Sequence, residues 1–137
     1  MIEAIERTLE LDVAPDRVWK ALTDDKQIAR WFGDSATPDA TQGAEGWFGW
    51  EGFGRAAVRI EAFEPPTRLV WRWAREADLP LDKARSTVVE WTLTPRSDGG
   101  TTLELMESGF DRDEDREDNV GGWKHELADL TNHLTTP

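Results

Sequence analysis

Residues 14–24 read Ala-Pro-Asp-Arg-Val-Trp-Lys-Ala-Leu-Thr-Asp, and they mark a sharp change of predicted secondary structure. Before them, apolar and polar residues alternate over residues 3–13, which is typical of a half-buried strand. Pro15 suits the first turn of a helix, because the N–H that proline lacks has no partner there in any case. The apolar stripe of this helix is formed by Val18, Trp19 and Leu22. The sequence thus predicts a strand that is followed at once by a helix.

The rest of the chain continues as helix, then strands, then helix. After a break at Asp24, a second short helix is predicted to about Arg30 and ends before Gly33. Alternation over residues 46–108 predicts a run of antiparallel strands. A last helix of about twenty residues is predicted from an apolar stripe at 3–4 spacing. That stripe consists of Val120, Trp123, Leu127, Leu130 and Leu134. We therefore expect one α+β domain over residues 1–137, with a helix covering one face of the sheet.

Composition limits the function classes. The net charge of −12 argues against binding to DNA or RNA, which needs a concentrated basic surface. The absence of cysteine excludes disulfides and thiolate metal sites, and His125 and His133 have no third ligand in view, so no metal or other cofactor is predicted. No apolar run approaches the ~20 residues of a membrane span, so we expect a cytoplasmic protein without membrane insertion.

Tryptophan is the unusual residue of this chain, which has eight Trp and no Tyr. An indole can bury roughly 150–250 Å² and needs one partner for its N–H. A chain of 15.5 kDa with so many large rings has either an unusually bulky core or a cavity lined by aromatic side chains. The sequence alone leaves both alternatives open.

The order of these elements and several local motifs resemble a known family. The segments that carry the resemblance are residues 14–24, Trp31-Phe32, Pro65-Pro66-Thr67-Arg68-Leu69 with Trp73, Thr102-Leu103-Glu104-Leu105 leading to Gly109-Phe110, and Gly121-Gly122-Trp123. Together they resemble the helix-grip fold of the START/birch-pollen-allergen superfamily. Within it, the chain is similar to the C-terminal domain of the heat-shock-protein-90 ATPase activator, in the stand-alone form usual in bacteria.

The resemblance implies a curved antiparallel sheet of about seven strands that grips the last helix, with a hydrophobic pocket between them. On this basis the candidate ligand-binding residues are Arg7, Trp31, Phe32, Trp50, Trp71, Trp73, Trp91, Leu105, Glu107, Phe110, Trp123 and Leu127. The concave face is expected to carry Trp71, Trp73, Trp91, Leu103 and Leu105, with Trp123 and Leu127 opposite them. Trp31 and Phe32 are expected near the mouth. No residue is assigned a catalytic role.

Arg7 and Glu107 are the two charged residues expected on the inward face. If the odd-numbered residues of the first strand point inward, the guanidinium of Arg7 enters the cavity, where an unpaired charge is very costly. In the fold that the chain resembles, the first and last strands are neighbours, so Arg7 and Glu107 can pair. The pair either fixes the strand register or anchors a ligand carboxylate or carbonyl group.

Gly121-Gly122 lies inside the predicted last helix, where each glycine costs about 1 kcal/mol relative to alanine. Three explanations remain open: close packing against the sheet, space left for a ligand, or a mobile start of the helix.

The predicted function is the binding of a small hydrophobic or aromatic molecule between the sheet and the last helix. A first alternative is a protein–protein module, co-chaperone-like or a stress-response regulator, with a chaperone-type partner. A second is a cyclase-like or hydrolytic enzyme that uses the same cavity. The lack of Cys, Tyr and a GxSxG motif argues against an enzyme. A homodimer is compatible with the family but is not required by any motif.

Overall fold

The computed structural model describes residues 2–33, 35–37 and 41–135, the segment 35–37 by its backbone only. These residues form an α+β fold in which a curved antiparallel sheet is covered on one face by helices. The helix-grip arrangement expected from the sequence is confirmed.

The first three elements follow the predicted order. Strand β1 spans Ile5–Leu11, helix α1 spans Pro15–Thr23, and helix α2 spans Asp25–Trp31. The break between the two helices has a clear cause. The side chain of Asp24 accepts a hydrogen bond from the backbone N–H of Lys26 at 2.9 Å and so caps α2, which starts a new helix instead of extending α1.

The remaining strands complete one sheet. They are β2 (Ser35–Thr37), β3 (Glu45–Trp50), β4 (Gly54–Glu64), β5 (Arg68–Ala74), β6 (Ser86–Pro95) and β7 (Thr101–Ser108). The spatial order is β1-β7-β6-β5-β4-β3-β2, and every neighbouring pair is antiparallel. Six strands have six or more residues, whereas β2 has three, so the expected count of about seven is met only when this short edge strand is included.

The last helix, α3, spans Asp113–Thr135. Its buried residues are Trp123, Leu127, Leu130 and Leu134, as the 3–4 spacing predicts. The helix packs against α1, α2 and β1, and the indole of Trp123 contacts the sheet through Trp73 and Trp91. Among the described residues, no helix is long and apolar enough to cross a membrane.

Several tryptophans lie in the core. Trp71 and Trp91 are almost fully buried on neighbouring strands, and their ring centroids are 5.7 Å apart. Trp31, at the end of α2, donates its indole N–H to the carbonyl oxygen of Ala21 at 2.7 Å. Much of the tryptophan excess therefore serves as core, and only part of it borders open space.

Candidate ligand pocket

A pocket of about 280 Å³ lies between one end of the sheet and α3. The lining residues come from the end of α2, from β3, β4 and β5 with their connections, and from α3. They are Phe32, Trp50, Phe53, Ala56, Trp73, Ala74, Arg75, Asn119, Gly122, Trp123 and Glu126. The lining is mostly apolar and aromatic, with three polar side chains.

The aromatic side chains of the pocket form a corner. The ring of Phe32 is nearly parallel to those of Trp73 and Trp123, with interplanar angles of 22° and 14° and centroid distances of 5.4 and 5.6 Å. Trp50 meets Phe32 almost at a right angle, 79°, at 5.0 Å. Three roughly parallel rings and one perpendicular ring give two aromatic walls, an arrangement that suits a flat apolar ligand.

A close backbone contact brings the two walls together. Gly33 follows Phe32 directly and has a φ of +71°, which favours glycine. A Cβ at this position would lie 2.4 Å from the carbonyl oxygen of Gly49 and 3.1 Å from the indole of Trp50. Only a glycine therefore allows the end of α2 to pack against β3, and this contact sets Phe32 beside Trp50.

The carboxylate of Glu107 is fully buried behind this pocket. Its Oε1 accepts hydrogen bonds from Trp123 Nε1 at 2.7 Å and from Asn119 Nδ2 at 2.8 Å. Its Oε2 accepts from Trp73 Nε1 at 2.9 Å and from Thr87 Oγ1 at 2.5 Å. A carboxylate offers about four lone-pair sites, so the capacity of Glu107 is filled by the protein itself. Glu107 thus orients two indoles of the pocket wall and has no acceptor site left for a ligand.

Arg75 and Asn119 form the polar side of the pocket. Arg75 Nη1 donates to Asn119 Oδ1 at 2.8 Å, and Nη2 donates to Asp115 Oδ1 at 3.5 Å. Burial of Asp115 opposes its ionisation, but the hydrogen bond from Arg85 and the charges of Arg75 and Arg85 outweigh this effect and lower the pKa of Asp115. Asp115 therefore lies between two guanidinium groups, and its contact with Arg85 is shorter than its contact with Arg75.

The two glycines of α3 differ in whether they border the pocket. A Cβ added at Gly121 or at Gly122 would meet no atom within 4 Å, so close packing against the sheet does not explain either residue. Gly122 borders the pocket, whereas Gly121 does not. Of the explanations that remain, space beside the pocket applies to Gly122 and not to Gly121.

The structure brings only part of the predicted site together. The predicted residues that line the pocket are Phe32, Trp50, Trp73 and Trp123. Phe32, Trp73 and Trp123 are themselves buried, so they form the inner wall of the pocket. The predicted residues that are buried without lining the pocket are Trp31, Trp71, Trp91, Leu105, Phe110 and Leu127. Beside Trp71 there is a void of about 10 Å³, so the space lies in front of Trp73 and Trp123 and not behind Trp71 and Trp91.

Arg7 is placed differently from the prediction, and the Arg7–Glu107 pair does not form. In the observed register Arg7 lies opposite Leu105, and Glu107 lies opposite Ile5. The guanidinium of Arg7 donates to the carbonyl oxygen of Glu6 at 2.6 Å and borders a polar groove on the outer face of the sheet. Because β1 is an edge strand, a long side chain can bend around the edge to water instead of remaining inside.

Sequence reasoning missed seven lining residues: Phe53, Ala56, Ala74, Arg75, Asn119, Gly122 and Glu126. A signal was available for three of them. Positions 119, 122, 123 and 126 share one face of a helix by their 3–4 spacing, so the prediction of Trp123 could have been extended to its helical neighbours. Arg75 follows the end of β5, where alternation gives no guidance.

The fold and the pocket together define a helix-grip protein of the START type. A family model described as "Activator of Hsp90 ATPase homolog 1-like protein" matches residues 12–135. The chain belongs to this family.

Solved structures show the same fold. DynU16, a protein in the dynemicin biosynthetic locus, has a TM-score of 0.84 and 25% identity over 99% of this chain and 48% of its own. The chain thus spans about half the length of DynU16. CalU16 from Micromonospora echinospora is 31% identical, with a TM-score of 0.73, over 96% of this chain and 76% of its own. MLL2253 from Mesorhizobium loti is 25% identical, with a TM-score of 0.82, over 98% of this chain and 100% of its own. A search of the curated proteins gave no match.

Proposed function

We propose that the protein reversibly binds a small, flat hydrophobic or aromatic molecule in the pocket between the sheet and α3. The observation that carries this proposal is the aromatic corner, in which the rings of Phe32, Trp73 and Trp123 are nearly parallel and Trp50 stands across them. The ligand would contact Phe32, Trp50, Trp73 and Trp123 among the residues predicted from sequence, with Glu107 holding two of the indoles from behind.

The size of the pocket limits the ligand. Small-molecule pockets in proteins measure about 300–1,000 Å³, and the 280 Å³ found here is at the lower end of that range. Burial of apolar surface contributes about 25 cal/mol per Å², so binding would come mainly from the contact of ligand rings with the indoles. A compact ligand of a few fused rings fits this space better than a long acyl chain.

A helix that contains glycine next to a pocket supports the same proposal. Each of the two glycines weakens α3 by about 0.8–1.0 kcal/mol relative to alanine. At Gly122 the missing side chain leaves room in the pocket wall. The relative DynU16 comes from a biosynthetic locus, which is consistent with small molecules as ligands of this fold.

The test is a fluorescence titration with matched glycine variants. Purified protein is titrated with flat aromatic compounds and with fatty acids, and the quenching of Trp emission is followed. Gly122→Leu fills the pocket and should raise the dissociation constant of the tightest ligand by at least about tenfold, which corresponds to about 1.4 kcal/mol of binding free energy. Gly121→Leu makes the same change of side chain one residue earlier, outside the pocket, and should leave affinity unchanged.

The outcomes separate the proposal from its rivals. A saturable response that only Gly122→Leu weakens supports the pocket. Equal losses in both variants would assign the effect to the helix as a whole. A flat response to every compound would contradict the proposal and favour the protein–protein alternative, with a chaperone-type partner on the acidic surface.

A further inference from the structure

We propose that the ligand of this pocket carries an oxygen acceptor, a carbonyl or carboxylate group on its aromatic body, and that this oxygen binds the guanidinium of Arg75. This inference rests on the proposed function, because it names the polar group of the ligand that the same pocket accepts. It gives to Arg75 the anchoring role that the sequence suggested for Arg7.

The position of Arg75 is the first argument. Its side chain lines the pocket and is only 16% exposed. The hydrogen bond from its Nη1 to Asn119 Oδ1, at 2.8 Å, joins it to a second lining residue and holds the guanidinium at this side of the pocket. A charged group that is mostly removed from water needs hydrogen-bond partners, because burial of an unpaired charge is costly.

The protein meets this need only in part, which is the second argument. A guanidinium has five N–H donors. Among the described residues, the guanidinium of Arg75 makes one short hydrogen bond, to Asn119, and one long hydrogen bond, to Asp115. Its Nε is buried and has no hydrogen-bond partner in the described part of the chain. Each Nη carries a second N–H, so donors of Arg75 remain for an acceptor that the protein does not supply.

The carboxylate of Asp115 is shared, which is the third argument. Its Oδ2 accepts a short hydrogen bond from Arg85 Nη1, whereas Arg75 Nη2 lies 3.5 Å from Oδ1. An N–H···O hydrogen bond normally measures about 2.7–3.2 Å. A ligand oxygen at that distance would therefore make a shorter bond to Arg75 than Asp115 makes.

Other donors of the pocket wall are directed at Glu107 and not at the ligand. Asn119 Nδ2 donates to both carboxylate oxygens of Glu107, at 2.8 and 3.0 Å. The indole N–H groups of Trp73 and Trp123 donate to the same carboxylate. Arg75 is thus the charged donor that this wall offers to a ligand oxygen.

An oxygen bound to Arg75 is also well separated from the carboxylate in the pocket wall. Asn119 and Glu126 are seven residues apart on α3. At 1.5 Å per residue this is about 10 Å along the helix axis. Because Arg75 bonds to Asn119, the ligand oxygen would lie at the end of the pocket away from Glu126.

The experiment uses ligands with one ring system and different groups at the same ring position. Acetylnaphthalene carries a carbonyl oxygen, isopropenylnaphthalene has a carbon atom in its place with nearly the same shape, and naphthoate carries a carboxylate. Each is titrated against the intact protein by Trp fluorescence and calorimetry. The measured quantity is the ratio of the dissociation constants of the alkene and the ketone in one protein, since a general change of pocket shape affects both. We expect the ketone to bind about tenfold tighter than the alkene.

Two pairs of variants locate the effect. Arg75→Met removes the guanidinium and should abolish the preference for the ketone, whereas Arg72→Met makes the same change on the same strand, at a residue that does not line the pocket, and should preserve it. Asp115→Asn removes the competing charge and should raise the preference by about threefold, a gain that a loss of structure would not produce. Asp111→Asn removes the same charge from a residue that pairs with Arg85, and should leave the preference unchanged. Circular dichroism verifies that the variants are folded.

Naphthoate distinguishes the two sources of the oxygen. It should bind tighter than the ketone if the natural ligand is a carboxylate, and more weakly if the ligand is a neutral carbonyl compound. In both cases Arg75→Met should weaken the binding of naphthoate, because the same guanidinium binds either oxygen.

The failure of this inference differs from the failure of the proposed function. If the alkene binds as tightly as the ketone, the preference for an oxygen acceptor is refuted and the pocket stands. If folded Arg75→Met keeps the wild-type preference, another donor binds the oxygen and the assignment to Arg75 is refuted. If Asp115→Asn and Asp111→Asn raise the preference equally, the competition of Asp115 for Arg75 is refuted. If none of the three ligands binds, the proposed function fails together with this inference.

Discussion

The buried acceptor Glu107 allows a quantitative prediction through two isosteric changes, Glu107→Gln and Thr87→Val. Thr87 Oγ1 is an alternative acceptor for the indole of Trp73, because it lies 2.9 Å from Trp73 Nε1 and 2.5 Å from Glu107 Oε2. Each single change therefore leaves Trp73 with one acceptor. The double change removes both.

The expected magnitudes follow from this geometry. In Glu107→Gln, the amide oxygen replaces Oε1 and keeps the bonds from Trp123 and Asn119, while the new NH₂ group donates to Thr87. We expect a loss of about 1–2 kcal/mol, the difference between charged and neutral acceptors. Thr87→Val removes one hydrogen bond and should cost about 1 kcal/mol. In the double variant, the N–H of Trp73 and one amide N–H of Gln are left unpaired. The free energy of unfolding should therefore fall by about 2 kcal/mol or more beyond the sum of the two single losses.

The assay is urea unfolding of the wild type, the two single variants and the double variant, followed by Trp fluorescence and by circular dichroism. Coincident curves from both probes justify a two-state treatment. The coupling free energy is the result of interest. Additivity within about 0.5 kcal/mol would mean that Trp73 does not depend on this pair of acceptors, and it would refute the assignment of Glu107 as the residue that orients the pocket wall.

Three further predictions follow from single contacts. Gly33→Ala should destabilise the fold by about 2 kcal/mol or more and change the emission of Trp50, because its Cβ would collide with the carbonyl oxygen of Gly49; an unfolding midpoint equal to wild type would contradict this. Burial, followed by the charges of Arg17 and Arg30, lowers the pKa of His133 below its usual value of 6.5. The unfolded chain therefore takes up the proton at a higher pH than the folded protein. The free energy of unfolding should fall as the pH decreases from about 6.5 to the pKa of the folded state. His133→Gln, measured between about pH 7.5 and 5.5, should lack this decrease; a parallel slope in both proteins would argue against it. Arg7→Met should change stability by less than about 0.5 kcal/mol and leave ligand affinity intact, and a clear loss of affinity would restore Arg7 as an anchor.

The sequence was sufficient for the longer elements of the fold, because each has a local cause, whereas the short edge strand β2 (Ser35–Thr37) lies outside the residues in which alternation predicted strands. Alternation located the strands, Pro15 located the start of α1, and the 3–4 spacing around Leu127 and Leu130 located the buried face of α3. These signals act within a few residues and do not depend on the rest of the structure.

The pocket could be predicted only in part, because it depends on where side chains end. Alternation placed Arg7 on the inward register, but its side chain leaves around the edge of the sheet. Trp71 and Trp73 have the same pattern in the sequence, yet only Trp73 borders the pocket. The ring of Phe32 packs against both indoles, and its place depends on the contact of Gly33 with β3, which alternation within one strand does not reveal.

The acceptors are distributed unevenly among the buried indoles. The N–H groups of Trp71 and Trp91, in the filled core, have no partner among the described residues, whereas those of Trp73 and Trp123 share one buried carboxylate. An unpaired buried N–H costs about 1–3 kcal/mol, so the fold tolerates this cost where rings only fill space. Burying a carboxylate is itself expensive, and stability alone would be served as well by an apolar residue between apolar rings. The carboxylate is found where two indoles must keep one orientation beside an open pocket. Its position therefore supports a role in shaping the surface that a ligand meets.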